Sequence, residues 1–302
     1  MSSTTLLQIV DTARSVAREV IMPHFLTAQR NTKDDGSLFT VVDLAAQEAL
    51  IERLPRIIDR PVLGEEMPES LQLRLWHEGQ DGIWCIDPID GTTNFVNGIP
   101  FFGVAIAYIA EGRTRYGVVY NPMTDEAFYA EEGGGAFLNG NALPLRTPAR
   151  HLLDAVAGVD FKRIPKALGD ALATQSPFYS QRNFGSSALE WCFIAAARLD
   201  VYLHGGQMMW DFAAGSLIAA EAGARCSMLD GEPLDMAPGR KTPVVGGGGG
   251  PRARGGGGGG GRPGPRRRRA GRRGGGGQRA RRTQGATCST GQRGGREARD
   301  RG

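Results

Sequence analysis

Apolar periodicity runs along this chain as far as Val245 and then stops, so only residues 1–245 can build a hydrophobic core. From Gly246 to Gly302 the sequence is dominated by Gly, Arg and Pro. That stretch holds 23 of the 45 glycines and 16 arginines, with Glu297 and Asp300 as its only acids and no aromatic residue. With so little to bury, it cannot offset the entropy of ordering its backbone, and it is read as a disordered low-complexity tail. Residues 1–245 are read as one domain, long enough for a core that needs no disulfide or structural metal.

Charge divides at the same place. The tail carries +14, which leaves −10 on residues 1–245 of a chain whose formal charge is +4. A basic protein suggests nucleic acid or acidic membranes, but here the folding unit is acidic, which suits a cation site. Arg-Gly segments that hold RNA interleave aromatic residues for stacking, so any nucleic-acid binding by this tail is expected to be weak and salt-sensitive. Cys85, Cys192, Cys226 and Cys288 are scattered without zinc-site or disulfide spacing, as in a reducing cytoplasm. The opening residues show no secretory pattern. The longest apolar run, Phe101 to Ala110, is too short to span a bilayer. The expectation is a cytoplasmic protein without membrane contact.

Along the domain, Leu6, Leu7, Val10, Ala13, Ala17, Val20 and Ile21 recur at helical spacing, with Thr5 and Gln8 as a capping box. Asp43 is placed to cap a second helix over Leu44–Leu54, ended by Pro55. Pro61–Leu63 and Ile83–Ile86 read as short buried strands, ending at Gly64-Glu65-Glu66 and at Asp87. Turn signals at 111–113 and 121–124 divide Phe101–Ala130 into antiparallel strands, and 136–140 closes that sheet with a turn. A strand (Ala155–Val159), a helix (Ile164–Thr174), a helix (about Ser187–Arg198) and a strand (Val201–Leu203) follow. Trp210-Asp211 opens a last helix ending near Gly223. Helices, then strands, then alternating elements predict a layered α+β fold.

The chemistry lies at the strand ends. Hard divalent cations want oxygen ligands, and magnesium takes a few carboxylates plus substrate phosphate. Glu65, Asp87 with Asp90, and Asp211 each follow an apolar strand, so three strand ends can converge on one cluster. Pro88 stiffens its turn and lets Asp87 and Asp90 face one space, with the Ile89 carbonyl between them. Gly91 permits close approach of a ligand, and the amides of Gly91, Thr92 and Thr93 point outward from a helix start.

Gly64-Glu65-Glu66, Asp87-Pro88-Ile89-Asp90-Gly91-Thr92-Thr93-Asn94-Phe95 and Trp210-Asp211-Phe212-Ala213-Ala214-Gly215 together resemble the inositol monophosphatase family, over about residues 5–245. Supporting matches are Lys33–Asp43 and Gly135–Gly140. The resemblance implies an αβαβα sandwich and a magnesium-dependent, lithium-sensitive phosphomonoesterase acting on a small polyol or sugar phosphate such as myo-inositol 1-phosphate. It implies that Glu65, Asp87 and the Ile89 carbonyl hold one Mg2+, and that Asp87, Asp90 and Asp211 hold a second, with two or three ions in all. Glu65, backed by Thr92 and Asp43, would deprotonate the attacking water. Gly91, Thr92 and Thr93 would bind phosphate, and Ser186 and Ser187 would line the pocket. Glu66 would lie behind the ligands, and a homodimer is the family expectation.

The resemblance breaks in two places. His204 stands where the family has a carboxylate that contacts sugar hydroxyls, read here as a loop position. A histidine can still bond a hydroxyl but is not an acceptor-only anion. The family also ends with a strand, a connection and a helix. Pro243–Val245 begins that strand before glycine takes over, as in a GC-rich frame read out of phase, which predicts a chain short of its last elements. Histidinol phosphate, nucleoside 3′,5′-bisphosphate and fructose bisphosphate stay open as substrates. From other classes, the alternatives are an RNA-associated protein acting through the tail and a regulatory one with little turnover.

Overall fold

The computed structural model describes residues 2–29, 31–32 and 38–248. Helix α1 (Thr4–Val16) buries Leu6, Ile9, Val10, Ala13 and Val16 on one face, the stripe its periodicity predicts. Its cap is Ser3 rather than Thr5: the Ser3 hydroxyl accepts from the Leu6 amide at 3.2 Å, and Thr5 is already inside the first turn. A π turn (Ala17–Ile21) and a 3₁₀ turn (Met22–His24) follow. Strands β1 (Asn31–Thr32) and β2 (Leu38–Phe39) pair antiparallel. Residues 33–37, part of the Lys33–Asp43 match, lie outside the described residues.

Helix α2 (Val41–Arg53) starts earlier than expected. Thr40 is its N-cap, accepting from the Val42 and Asp43 amides, while the Asp43 carboxylate accepts from the Thr40 amide at 2.7 Å. Asp43 is thus the third helical residue of a capping box rather than the cap itself.

The next elements are β3 (Val62–Gly64), α3 (Glu69–Glu78), β4 (Ile83–Asp90), α4 (Thr92–Val96), β5 (Gly103–Ala110), β6 (Arg113–Asn121), β7 (Glu126–Glu131), β8 (Gly135–Leu138) and β9 (Asn141–Ala142). They form a seven-stranded sheet in sequence order, with β3 parallel to β4 and antiparallel pairs beyond. Helix α3 was not legible in the sequence because Gln72 is its only buried residue. The chain continues through β10 (Val156–Asp160), α5 (Lys166–Thr174), β11 (Ser180–Arg182), α6 (Ser187–Ala195), β12 (Val201–Gln207), α7 (Met209–Glu221), β13 (Arg225–Met228) and β14 (Thr242–Gly247). Its five strands make a mixed sheet ordered β11-β10-β12-β14-β13.

The core falls into layers. Helices α1 and α2 pack on the face of the large sheet that carries Trp84, Ile86, Ile106 and Val118. Cys85, Ala107 and Val119 point the other way, into a layer of α6 and α7 that also meets Tyr202 and Val244 of the small sheet. Ala157 and Val159 bury the outer face of the small sheet against Ile164 and against Leu172 of α5. The result is the αβαβα sandwich.

Trp191 of α6 locks the middle layer and is fully buried. Its indole N–H donates to Gln207 Oε1 at 3.0 Å. Gly215 and Gly246 make room for it: a Cβ at either would come within 2.5 Å of the Trp191 side chain. The last strand therefore runs through Gly246 and Gly247, two residues past the compositional boundary, and pairs with both β12 and β13. Gly246 begins the glycine run in the sequence, yet in the fold it is a packing position. Residues 249–302, nearly all of the predicted tail, lie outside the described residues.

Candidate metal and phosphate site

A cavity of about 770 Å³ opens where the ends of β4, β12 and β3 meet the first turn of α7. Asp87, Asp90 and Asp211 each offer it a carboxylate oxygen, and these oxygens lie within 4.8 Å of one another. Glu65 lines the same space. The sequence ends β4 at Asp87, whereas the strand continues to Asp90. Asp87 pairs with Ala105 and Asp90 with Gly103, so β4 carries one extra residue there. In a regular strand, residues three apart point to opposite faces. This bulge turns Asp90 back to the side of Asp87.

Each carboxylate is fixed from behind. Asp90 accepts from the Ser186 hydroxyl, from the Ser187 amide at 3.2 Å and from the Ala188 amide at 2.8 Å, at the start of α6. Asp211 accepts from the Met208 amide at 2.8 Å, and Asp87 from the Ile89 amide at 3.1 Å. Gln72 anchors the loop after β3 by donating to the carbonyls of Gly64 and Glu65. The Glu66 amide is bonded to buried Gln47 at 2.9 Å. Ser186 departs from its expected place. Only 1 % exposed, it spends its hydroxyl on Asp90 and does not line the cavity, which Ser187 does.

Gly91 sits at φ +93°, and a Cβ there would press on the Gly185 and Phe101 carbonyls, so this turn requires glycine. Gly91, Thr92 and Thr93 line the cavity at the start of α4, where a helix cannot satisfy its own first amides. The Thr92 hydroxyl lies 3.3 Å from Asp43 Oδ1 and 3.1 Å from the Ile89 carbonyl. The other Asp43 oxygen accepts from the Thr40 hydroxyl at 2.5 Å.

Electrostatics decide what this arrangement can hold. Burial, reinforced by the facing Glu65, Asp90 and Asp211, pushes the Asp87 carboxyl well above its usual range. Asp211 is raised likewise by burial and then by Asp90 and Glu65. Burial raises Asp90 to about 6 against the lowering bonds from Ser186 and Ala188, and raises Asp43 to about 6. Among the described residues, no lysine or arginine forms an ion pair with Asp87, Asp90 or Asp211. Converging carboxylates that repel one another and lack a basic partner fit a hard, oxygen-seeking dication.

The opposite wall is different. His204 lies in β12, not in a loop, and is 4 % exposed. Its Nδ1 accepts from the Gly206 amide at 3.1 Å, and its Nε2 faces Asp160 Oδ2 at 3.3 Å. The bond from His204 holds the Asp160 carboxyl below its usual range. Asp160 and Glu190 also line this cavity and were not among the residues expected there from the sequence. Asp160 carried the same signal as Asp87, an acid at the end of an apolar strand. Glu190 gave none, being buried inside a helix, where burial pushes its carboxyl to about 8.

A model of the inositol monophosphatase family matches residues 3–248. The chain belongs to that family. An inositol-1-monophosphatase of Mesorhizobium japonicum is 35 % identical over 210 residues, covering 67 % of this chain and 76 % of that one. The Nus factor SuhB of Pasteurella multocida is 38 % identical over 203 residues, covering 65 % and 73 %. Among solved structures, the extragenic suppressor protein suhB from Bartonella henselae superposes with a TM-score of 0.71 at 29 % identity, covering 81 % of this chain and 94 % of that one. As an inositol monophosphatase family member the chain is of a metal-dependent phosphatase class, and its acidic cluster suits the magnesium that the family uses. No helix among the described residues is long and apolar enough to cross a membrane.

Proposed function

We propose that this chain is a magnesium-dependent phosphomonoesterase acting on a small polyol or sugar phosphate. The observation that carries the reading is the meeting of Asp87, Asp90 and Asp211 within 4.8 Å, in a cavity that Gly91, Thr92 and Thr93 also line. Glu65, Asp87 and the Ile89 carbonyl would hold one ion, and Asp87, Asp90 and Asp211 a second. Bound magnesium supplies charge against the phosphate oxygens and acidifies a coordinated water.

The chain's own groups do the rest. Asp43, held by Thr40, orients the Thr92 hydroxyl, whose free lone pairs then point a water toward the phosphate. Glu65 is the proton acceptor for that water. The amides of Gly91, Thr92 and Thr93 take the phosphate oxygens, stabilising charge as it grows on them. Ser186, Ser187 and Ala188 keep Asp90 aimed at the cavity.

The test is release of inorganic phosphate from a panel of esters that includes inositol 1-phosphate, with magnesium and with chelator. Magnesium-dependent release supports the reading, and a folded chain that releases none from any ester removes it. Relatives named Nus factor carry a name that states no catalysis, so turnover is the discriminating measurement.

A further inference from the structure

The cavity that holds the aspartates is also lined by cations that form no ion pair among the described residues. Lys162, Arg163 and Lys241 all line it. All three are exposed, and no ion pair among the described residues involves any of them. Surface cations are usually loosely held, but these stand on a fixed frame. Lys162 and Arg163 belong to a 3₁₀ turn (Phe161–Arg163) capped by Asp160, whose Oδ1 accepts from the Lys162 amide at 2.7 Å. Asp160 is in turn held across the sheet by His204.

That turn is seated directly on β12. A Cβ at Gly205 would fall 1.8 Å from the Arg163 carbonyl oxygen, so the backbones touch there. At Gly206 a Cβ would lie 3.2 Å from Lys241 Cβ and 3.6 Å from Arg163 Cδ, so two chain segments bring their cations to one glycine. Lys162, Arg163 and Lys241 line the same cavity as Asp87, Asp90 and Asp211, which puts this rim and the metal site in one ligand-sized space.

We infer that the natural substrate carries a second anionic group besides the phosphate that is cleaved, and that Lys162, Arg163 and Lys241 bind it. A scissile phosphate seated among Asp87, Asp90 and Asp211 would share the cavity with this rim. A lone uncharged polyol would leave three cations facing solvent in a site otherwise lined with acids. Asp160, which lines the same cavity and is held by His204, would meet a hydroxyl of the connecting carbons. The second anion is a carboxylate or a phosphate, since a cationic rim of this kind accepts either. This inference rests on the phosphomonoesterase reading above.

The experiment compares matched esters on the full chain with magnesium at low ionic strength. Glucitol 6-phosphate against 6-phosphogluconate tests a carboxylate, and fructose 6-phosphate against fructose 1,6-bisphosphate tests a phosphate. The expected result is at least a tenfold higher kcat/KM for the doubly anionic member of one pair, which also tells the two sources apart. Combining Lys162→Ala, Arg163→Ala and Lys241→Ala should bring that ratio down to near one. Lys241→Glu alone, at an exposed position, should lower it severalfold. Hydrolysis without preference in the wild type, or a preference that survives the triple substitution, overturns the inference and leaves the proposed function standing. No release from any of the four esters overturns both.

Discussion

The two walls of the cavity are made differently. On the acidic side most of the functional groups come in one short run, Asp87 to Thr93, on a bulged strand and the turn after it, joined by Glu65 after β3 and Asp211 from the first turn of α7. On the small-sheet side Asp160, Arg163, His204 and Lys241 come from three separate stretches, joined by strand register and by backbone contact at Gly205. The first wall is acidic, buried and fixed by hydrogen bonds from behind. The second is mixed in charge and open to solvent. Chemistry demands fixed geometry at the reacting phosphate, whereas recognition of the remainder of a substrate tolerates exchange of one side chain for another. We propose that His204 is such an exchange.

Asp211→Asn strikes the acidic wall hardest. It should cut turnover roughly a hundredfold to a thousandfold, the scale on which one preorganised electrostatic group acts. The same change should raise the melting temperature of the metal-free chain, since it removes one of the facing charges, and should abolish the stabilisation that magnesium gives the wild type. Retained turnover would erase the distinction between the walls.

Glu190, between the walls, separates burial from metal chemistry. Its carboxyl rises from about 4.5 to about 8 because burial disfavours its charge. The stability linked to it is full below the unfolded value and is lost as pH rises through about 8, on the order of 5 kcal/mol in all. Asp43, Asp87, Asp90 and Asp211 act in the same direction, so the informative quantity is a difference. Melting temperature of the metal-free protein should fall less between pH 5 and pH 8 in Glu190→Gln than in the wild type. Parallel curves would show that Glu190 is charged when folded.

Thr92→Val keeps the shape of the α4 turn and removes only the hydroxyl between Asp43 and the cavity. A loss of about 10-fold to 100-fold in kcat is expected, the usual cost of deleting an orienting group. A change confined to KM would assign Thr92 to substrate binding instead. Gly246→Ala touches neither wall. It drives a methyl into Trp191 and should cost about 1–3 kcal/mol in denaturant unfolding. No loss would mean that β14 ends before Gly246.

Much of this was legible beforehand, for a physical reason. The strands over Phe101–Ala130 announced themselves through turn residues, and α1 and α7 through spacing, because those signals are local. So were Glu65, Asp87, Asp90 and Asp211, acids at strand ends. The β4 bulge was not, since it exists only in register with β5. The Thr40 cap was displaced by one helical turn because Asp43 serves two groups at once, the Thr40 amide and the Thr92 hydroxyl. Ser186 was read as a pocket residue and proved to hold Asp90.

The sequence by itself determined to within two residues where the core ends, that the fold is layered α+β and which carboxylates could hold a cation, because hydrophobic period and ligand chemistry are written residue by residue. Only the tertiary structure decided that Gly246 is a packing position, that His204 is tied to Asp160 rather than free, and that three cations line the cavity of the aspartates. Those facts depend on distances between segments far apart in the chain, which are set when buried surfaces meet and which no local pattern encodes.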